Sequence, residues 1–223
     1  MSALLAENDP ALASSADLAD VVALLDRLGP ATPGAPVTPV TPVTDGEPAM
    51  PPATGDEDQD ELRRRMLAFA AEHQNALARA CLDGHFTGSA LVVDATAERV
   101  LLLFHRKLQR WLQPGGHADG DANLVAVALR EATEETGIDG LRVDPDPVDL
   151  DIHLVAPPRE GPHLHLDVRF LVVAPPDAVV AGNHESEALR WVTPDEAAAL
   201  DLDAGTHRLI TAGLARARAT ITG

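Results

Sequence analysis

The chain of 223 residues carries one cysteine, no tyrosine and only 3% aromatic residues. A lone Cys81 cannot close an internal disulfide, and no Cys/His cluster has zinc-site spacing. The expected setting is a reducing compartment, and the expected role of this thiol is core packing. Cations are also scarce. Seventeen Lys and Arg stand against 35 Asp and Glu, a formal charge of -18 at pH 7. A field of that sign disfavours non-specific binding to nucleic acid or to an acidic membrane. No stretch approaches the ~18 apolar residues of a membrane span. The opening MSALLAENDPALASSADLAD lacks the basic and apolar segments of a secretory signal, so a cytoplasmic protein is expected. An anionic substrate would need the negative surface offset locally, and a divalent cation is the simplest means.

What the chain does contain is periodic. In residues 15–28, Leu18, Val21, Val22, Leu25 and Leu28 recur at helical spacing behind serines that can cap, with Gly29 and Pro30 as the stop. Residues 1–29 therefore read as a helical extension, either docked or loosely held. Residues 30–58, rich in VTP repeats, read as a Pro/Thr-rich linker with polyproline II character and no packed core. Residues 59–223 form the main domain, led by a helical pattern from Asp58 to Leu82.

GSALVVD and RVLLLFH, joined by ATAE, predict a hairpin. VDLDIHLVA (148–156), HLHLDVRFLVV (163–173) and LRWV (189–192) predict further strands. Thr193, Pro194 and Glu196 match a capping box, and residues 205–219 a last helix. This irregular alternation predicts an α/β fold, a mixed sheet with helices on its faces.

The chemistry concentrates in PGGHADGDANLVAVALREATEETGI, Pro114 to Ile138. A helix from Ala122 to about Thr136, capped by Asp121 and stopped by Gly137, brings Glu131, Glu134 and Glu135 into one sector. Convergent carboxylates repel unless they share a hard cation, and Mg2+ takes such oxygen ligands together with substrate phosphates. Arg130 is spaced to pair with Glu134. Gly115 and Gly116 permit close backbone approach, so a carbonyl there is a further candidate oxygen.

This stretch resembles the Nudix box: Gly116, Arg130, Glu131, Ala132, Glu134, Glu135, Gly137 and Ile138 all fall in register. Where the box has its first Glu, this chain has Ala122, with Asp121 and Asp119 nearby; the resemblance suggests that Asp121 compensates. Likeness extends from about Phe86 to the C-terminus, with Trp111, Pro114 and a Glu-bearing loop before LRWV in the usual order. It implies an α/β/α sandwich that hydrolyses a diphosphate bond in a nucleoside diphosphate linked to another group. Mg2+ or Mn2+ would be held by Glu131, Glu135, Glu134 and the Gly115 carbonyl. Glu134, Glu185 or Glu187 would act as general base.

Candidate substrate contacts are Arg106, Lys107, His117, His153, His163, His165 and Arg169. His163, His165, Asp167 and Arg169 share one strand face opposite Leu164, Leu166, Val168 and Phe170. His163 and His165 have the look of a metal pair, but no third ligand at diagnostic spacing points to zinc. The expected partner is a small phosphorylated molecule, and a homodimer is compatible with the sequence. Two rival readings are a catalytically weakened module of the same fold that senses a nucleotide metabolite, and an isopentenyl diphosphate isomerase. The latter needs a core cysteine, and Cys81 precedes the first core strand.

Overall fold

The computed structural model describes residues 3–28, 58–157, 160–184 and 186–221; most of the Pro/Thr-rich stretch lies outside the described residues. Eight strands form one mixed sheet: β1 (Leu5–Ala6), β2 (Gly84–Val93), β3 (Val100–His105), β4 (Arg110–Leu112), β5 (Gly115–His117), β6 (Arg142–Val155), β7 (His163–Val173) and β8 (Ser186–Val192). Its order is β1-β6-β7-β2-β3-β4, with β5 on β2 and β8 on β3. The β2–β7 pairing is parallel and the others are antiparallel.

Helices cover both sides. α1 (Leu18–Asp26), α2 (Gln59–Glu72) and α3 (Leu124–Thr136) bury Leu25, Met66, Phe69 and Leu124 against Phe86, Leu166 and Phe170. α5 (Ala204–Ile221) buries Leu209, Ile210 and Leu214 against Leu91, Val93 and Leu171 on the other face, beside the short α4 (Pro194–Ala198). Layered helix–sheet–helix burial of this kind is the main apolar driving force, at roughly 25 cal/mol per Å2 removed from water.

Most elements follow the predicted pattern, with informative differences. The strand over 163–173 and the capping box at Thr193, Pro194 and Glu196 are as expected. The helical pattern of 58–82 is helix only to Glu72; His73 turns extended and stacks on Phe69, with ring centroids 4.1 Å apart. Three-residue turns then bury Ala76, Leu77 and Cys81 at spacings that imitate helix periodicity. α1 is docked, its Val21, Leu24 and Leu25 buried, and Asp17 is its cap in place of a serine.

The box helix begins at Leu124, not Ala122, because Asn123 supplies the cap, accepting from the Ala126 N–H at 3.2 Å. Gly137 ends it at φ 65, a left-handed conformation that side chains avoid. Asp121, expected as the cap, instead accepts from the Asn123 and Ser15 N–H groups at 3.0 and 3.1 Å. Among the described residues, no helix is long and apolar enough to cross a membrane.

Candidate active site

β5 returns the chain to the central strand, placing Ser89 opposite Gly115, Gly88 opposite Gly116 and Thr87 opposite His117. α3 packs so closely beneath Gly88 that a Cβ there would meet the Leu124 carbonyl at 2.8 Å. That approach carries the last turns of α3 to β5. The Glu131 carboxylate lies against Gly116, where any Cβ would collide with it, and Glu131 is bonded by Arg130 at 3.2 Å. Glu135, 6% exposed, accepts the Gly115 N–H at 2.9 Å. Two of the three box carboxylates thus converge on the two glycines. Arg130 orients Glu131 rather than Glu134, the partner expected from spacing.

Glu134 is exposed on another side of α3, in a cleft of about 270 Å3 shared with Glu7, Leu12, Asp121, Arg130 and Thr133. Glu187 is exposed at the start of β8 and accepts from Gln109 at 3.1 Å. Glu185 lies outside the described residues. Arg106 and Lys107 are exposed in the turn between β3 and β4.

The mismatch at Ala122 has a structural setting. Ala122 is 2% exposed, and its N–H donates to the Ser15 carbonyl at 2.6 Å. The Asn123 side-chain amide donates to the Ala11 and Ala13 carbonyls, both at 2.9 Å. The segment from Ala11 to Ser15 thereby packs over the entrance to the box helix, where a longer side chain at 122 would have no room.

On the opposite face of β2, the polar side chains divide into two groups. Arg169, 2% exposed, donates to Asp167 (2.7 Å), Asp149 (3.2 Å) and Asp151 (3.0 Å). Arg208 from α5 adds bonds to Asp149 and Asp151, while Thr87 and Ser89 donate to Asp167 at 2.7 and 2.8 Å. Burial pushes the Asp151 carboxyl up, but the His153 bond and the Arg169 charge outweigh it and hold it well below the usual range. Arg169 stays firmly protonated: burial opposes its charge, and the three aspartates override that. Every polar nitrogen of its guanidinium is engaged, so this candidate substrate contact forms part of the framework under the site.

The second group is histidine. His85, His117, His163, His165 and His153 form a continuous set of rings, with centroids 4.8 Å apart for His85–His163, 4.9 Å for His85–His117 and His117–His165, and 5.3 Å for His153–His165. Both ring nitrogens of His85, and Nε2 of His163 and His165, are buried and, among the described residues, none meets full hydrogen-bond geometry with a partner, the Cys81 backbone being a weak neighbour of His85. Leaving such an atom unsatisfied costs about 1–3 kcal/mol. Burial, then the neighbouring His117 and His163, lowers His85 to about 4. Burial likewise lowers His165 and His117, with His153 and Arg79 respectively the next causes. Two imidazolium charges ~5 Å apart repel by about 3 kcal/mol at an effective dielectric near 20, so neutral rings are favoured.

Three of these histidines, His85, His117 and His165, offer nitrogens that all lie within 4.8 Å of one another. The converging set is therefore not the His163 and His165 pair that the sequence offers: His165 joins His85 and His117 instead. Parallel pairing sets His85 beside His165, and β5 delivers His117. His85 stands four residues from Cys81 at the start of a longer strand than expected, and its spacing gave no signal.

The NUDIX domain family model matches residues 85–213, more than half of the chain. Among solved structures, the chain is similar to a C. elegans Ap4A hydrolase binary complex, at 20% identity and TM-score 0.45, covering 59% of this chain and 96% of that one. It is similar to a MutT protein from Methanosarcina mazei Go1, at 20% identity and TM-score 0.47, covering 59% and 92%. It is also similar to the NUDIX domain of Shewanella oneidensis NrtR complexed with ADP ribose, at 19% identity and TM-score 0.45, covering 60% and 88%. No curated protein matches. With the box in register on α3 and the family model running from β2 into α5, the chain belongs to the Nudix family, whose hydrolases cleave nucleoside diphosphate derivatives.

Proposed function

We propose that the protein hydrolyses a diphosphate bond in a nucleoside diphosphate linked to another moiety, using Mg2+ or Mn2+. The observation that carries this reading is the placement of Glu131 and Glu135 on Gly116 and Gly115: two carboxylates fixed by backbone and Arg130 contacts, with Glu131 occupying the place a side chain at 116 would take. Glu131, Glu135 and the Gly115 carbonyl fit a hard cation, whereas Glu134, on another side of α3, is left out of the set. When bound, such an ion neutralises phosphate oxygens and lowers the pKa of a coordinated water.

The chain's own contribution is positional. The Gly115 N–H holds Glu135 in one orientation, and the tight seat on Gly116 does the same for Glu131, so little reorganisation is needed as substrate arrives. Water oxygen bonds to phosphorus, the bridging P–O bond breaks, and the departing phosphate carries the bridging oxygen. Glu187 or Glu185, from the loop and strand outside the box, takes the proton released by the water. The exposed Arg106 and Lys107 are proposed to contact the phosphates, while His117 turns to the face of β5 away from Glu131. His153, His163 and His165 line the neighbouring polar face. The Arg169 network holds that face rigid. The paucity of surface cations, at a net charge of -18, favours a small substrate over a nucleic acid, and we place the protein in the cytoplasm.

The test is a panel of nucleoside triphosphates, ADP-ribose, dinucleoside polyphosphates and capped RNA with Mg2+, read by 31P NMR. Hydrolysis of a diphosphate bond in at least one compound is expected. Ligand-dependent stabilisation without turnover of any would replace this reading with that of a nucleotide-sensing module.

A further inference from the structure

We propose that His85, His117 and His165 form a three-histidine site for a borderline divalent transition metal of the zinc class, separate from the box carboxylates and not required by the diphosphatase reading. Their ligand nitrogens already lie within 4.8 Å of one another. Nitrogens ~2.1 Å from a tetrahedral ion are about 3.4 Å apart, so modest ring rotations complete the set. The strand pairings fix the backbone beneath two of them, His85 directly opposite His165, while His117 arrives from β5 opposite Thr87.

Buried nitrogens without partners point to a ligand. His85 is 1% exposed and, among the described residues, neither of its ring nitrogens meets full hydrogen-bond geometry, the nearby Cys81 backbone being its one weak neighbour; Nε2 of His165 is also buried and unpartnered. A polar cluster that served only packing would have those atoms bonded, as the adjacent Arg169 network has. His163 borders the set: its Nδ1 meets the Gly161 carbonyl at 3.0 Å, and its buried Nε2 is unpartnered. If that contact is a donated N–H bond, the tautomer leaves Nε2 as a lone pair facing His85, 4.8 Å away between centroids. The fourth coordination position thus falls to His163 or to water.

Chemistry separates this site from the box. Imidazole nitrogens suit Zn2+, Co2+ and Ni2+, whereas Mg2+ requires oxygen ligands. Strand alternation sets His117 on the opposite face of β5 from the Gly116 contact with Glu131.

The experiment uses the full chain, stripped of metal with a chelator, as wild type and as the Glu131→Gln/Glu135→Gln double variant. Each is titrated with Co2+, read by visible absorption, and with Zn2+, read by calorimetry. Both proteins are expected to bind one equivalent with the intense absorption of a low-coordinate nitrogen site, displaced by Zn2+. His165→Gln should weaken that binding by about 100-fold or more, with the metal-free circular dichroism spectrum unchanged. His117→Gln, at the half-buried edge of the cluster, is the second variant should the first unfold. The proposal is overturned if tight binding disappears with the glutamates, if folded histidine variants bind as wild type does, or if Co2+ shows only the weak absorption of an octahedral oxygen site. Diphosphatase activity is not a readout, so failure here leaves the proposed reaction standing.

Discussion

The polar face of the sheet has two halves built on opposite terms. Around Arg169, three aspartates, a second arginine and two hydroxyls engage one another, and the charges are buried in pairs. A few residues along the same strands, histidines are buried with nitrogens that bond to nothing among the described residues. The first half is complete without a ligand and the second is not. Satisfied burial marks framework, whereas unsatisfied burial marks a place awaiting something, and the two behave differently when substituted.

The largest difference is expected for Arg169→Leu. Removing it leaves Asp149, Asp151 and Asp167 buried without their main counter-charge, and breaking such a pair costs about 3–5 kcal/mol. Urea denaturation would measure it; a loss under 1 kcal/mol would show that the network is not framework. The entrance to the box helix belongs with the satisfied half. Ala122→Glu would force a carboxylate into a position 2% exposed, beneath the Ser15 carbonyl. We expect a loss of about 2 kcal/mol or more and no gain in turnover, measured by melting and by the phosphate assay. A faster enzyme would mean instead that the box is impaired for want of its glutamate.

Asn123→Ala is a smaller cut. It removes the α3 cap and two bonds to the Ala11–Ala13 segment, for about 1–2 kcal/mol in denaturant. The smallest effect belongs to the unsatisfied half. His85→Leu in metal-free protein should cost less than about 1 kcal/mol, since no well-formed bond is lost and two unsatisfied nitrogens are removed. A loss of 3 kcal/mol would erase the contrast between the halves.

Much of this architecture was legible in the sequence because it is local. Alternation gave β7, the capping box gave α4, and the spacing of Glu131, Glu134 and Glu135 placed them on one helix. Tertiary contacts decided the rest. Whether α1 docks depends on surfaces far along the chain. The partner of Arg130 depended on where β5 drew Glu131. Ala122 looked like a defect in the box, yet in the fold it is buried under Ser15, a residue more than 100 positions earlier. The same applies to histidine: His163 and His165 were visible as a pair, while His85 and His117 joined them only through parallel strand pairing and a returning short strand. A polar stripe likewise gave no sign that Arg169 would be buried and spent on aspartates.

The central claim is that the box carboxylates seated on Gly115 and Gly116 support metal-dependent hydrolysis. Glu135→Gln keeps the volume and the Gly115 contact but removes the charge, and its metal-dependent turnover of the best substrate in the panel tests that claim most directly. The account predicts a fall of about 100-fold or more with the melting temperature nearly unchanged. Wild-type turnover in a folded Glu135→Gln protein would contradict it.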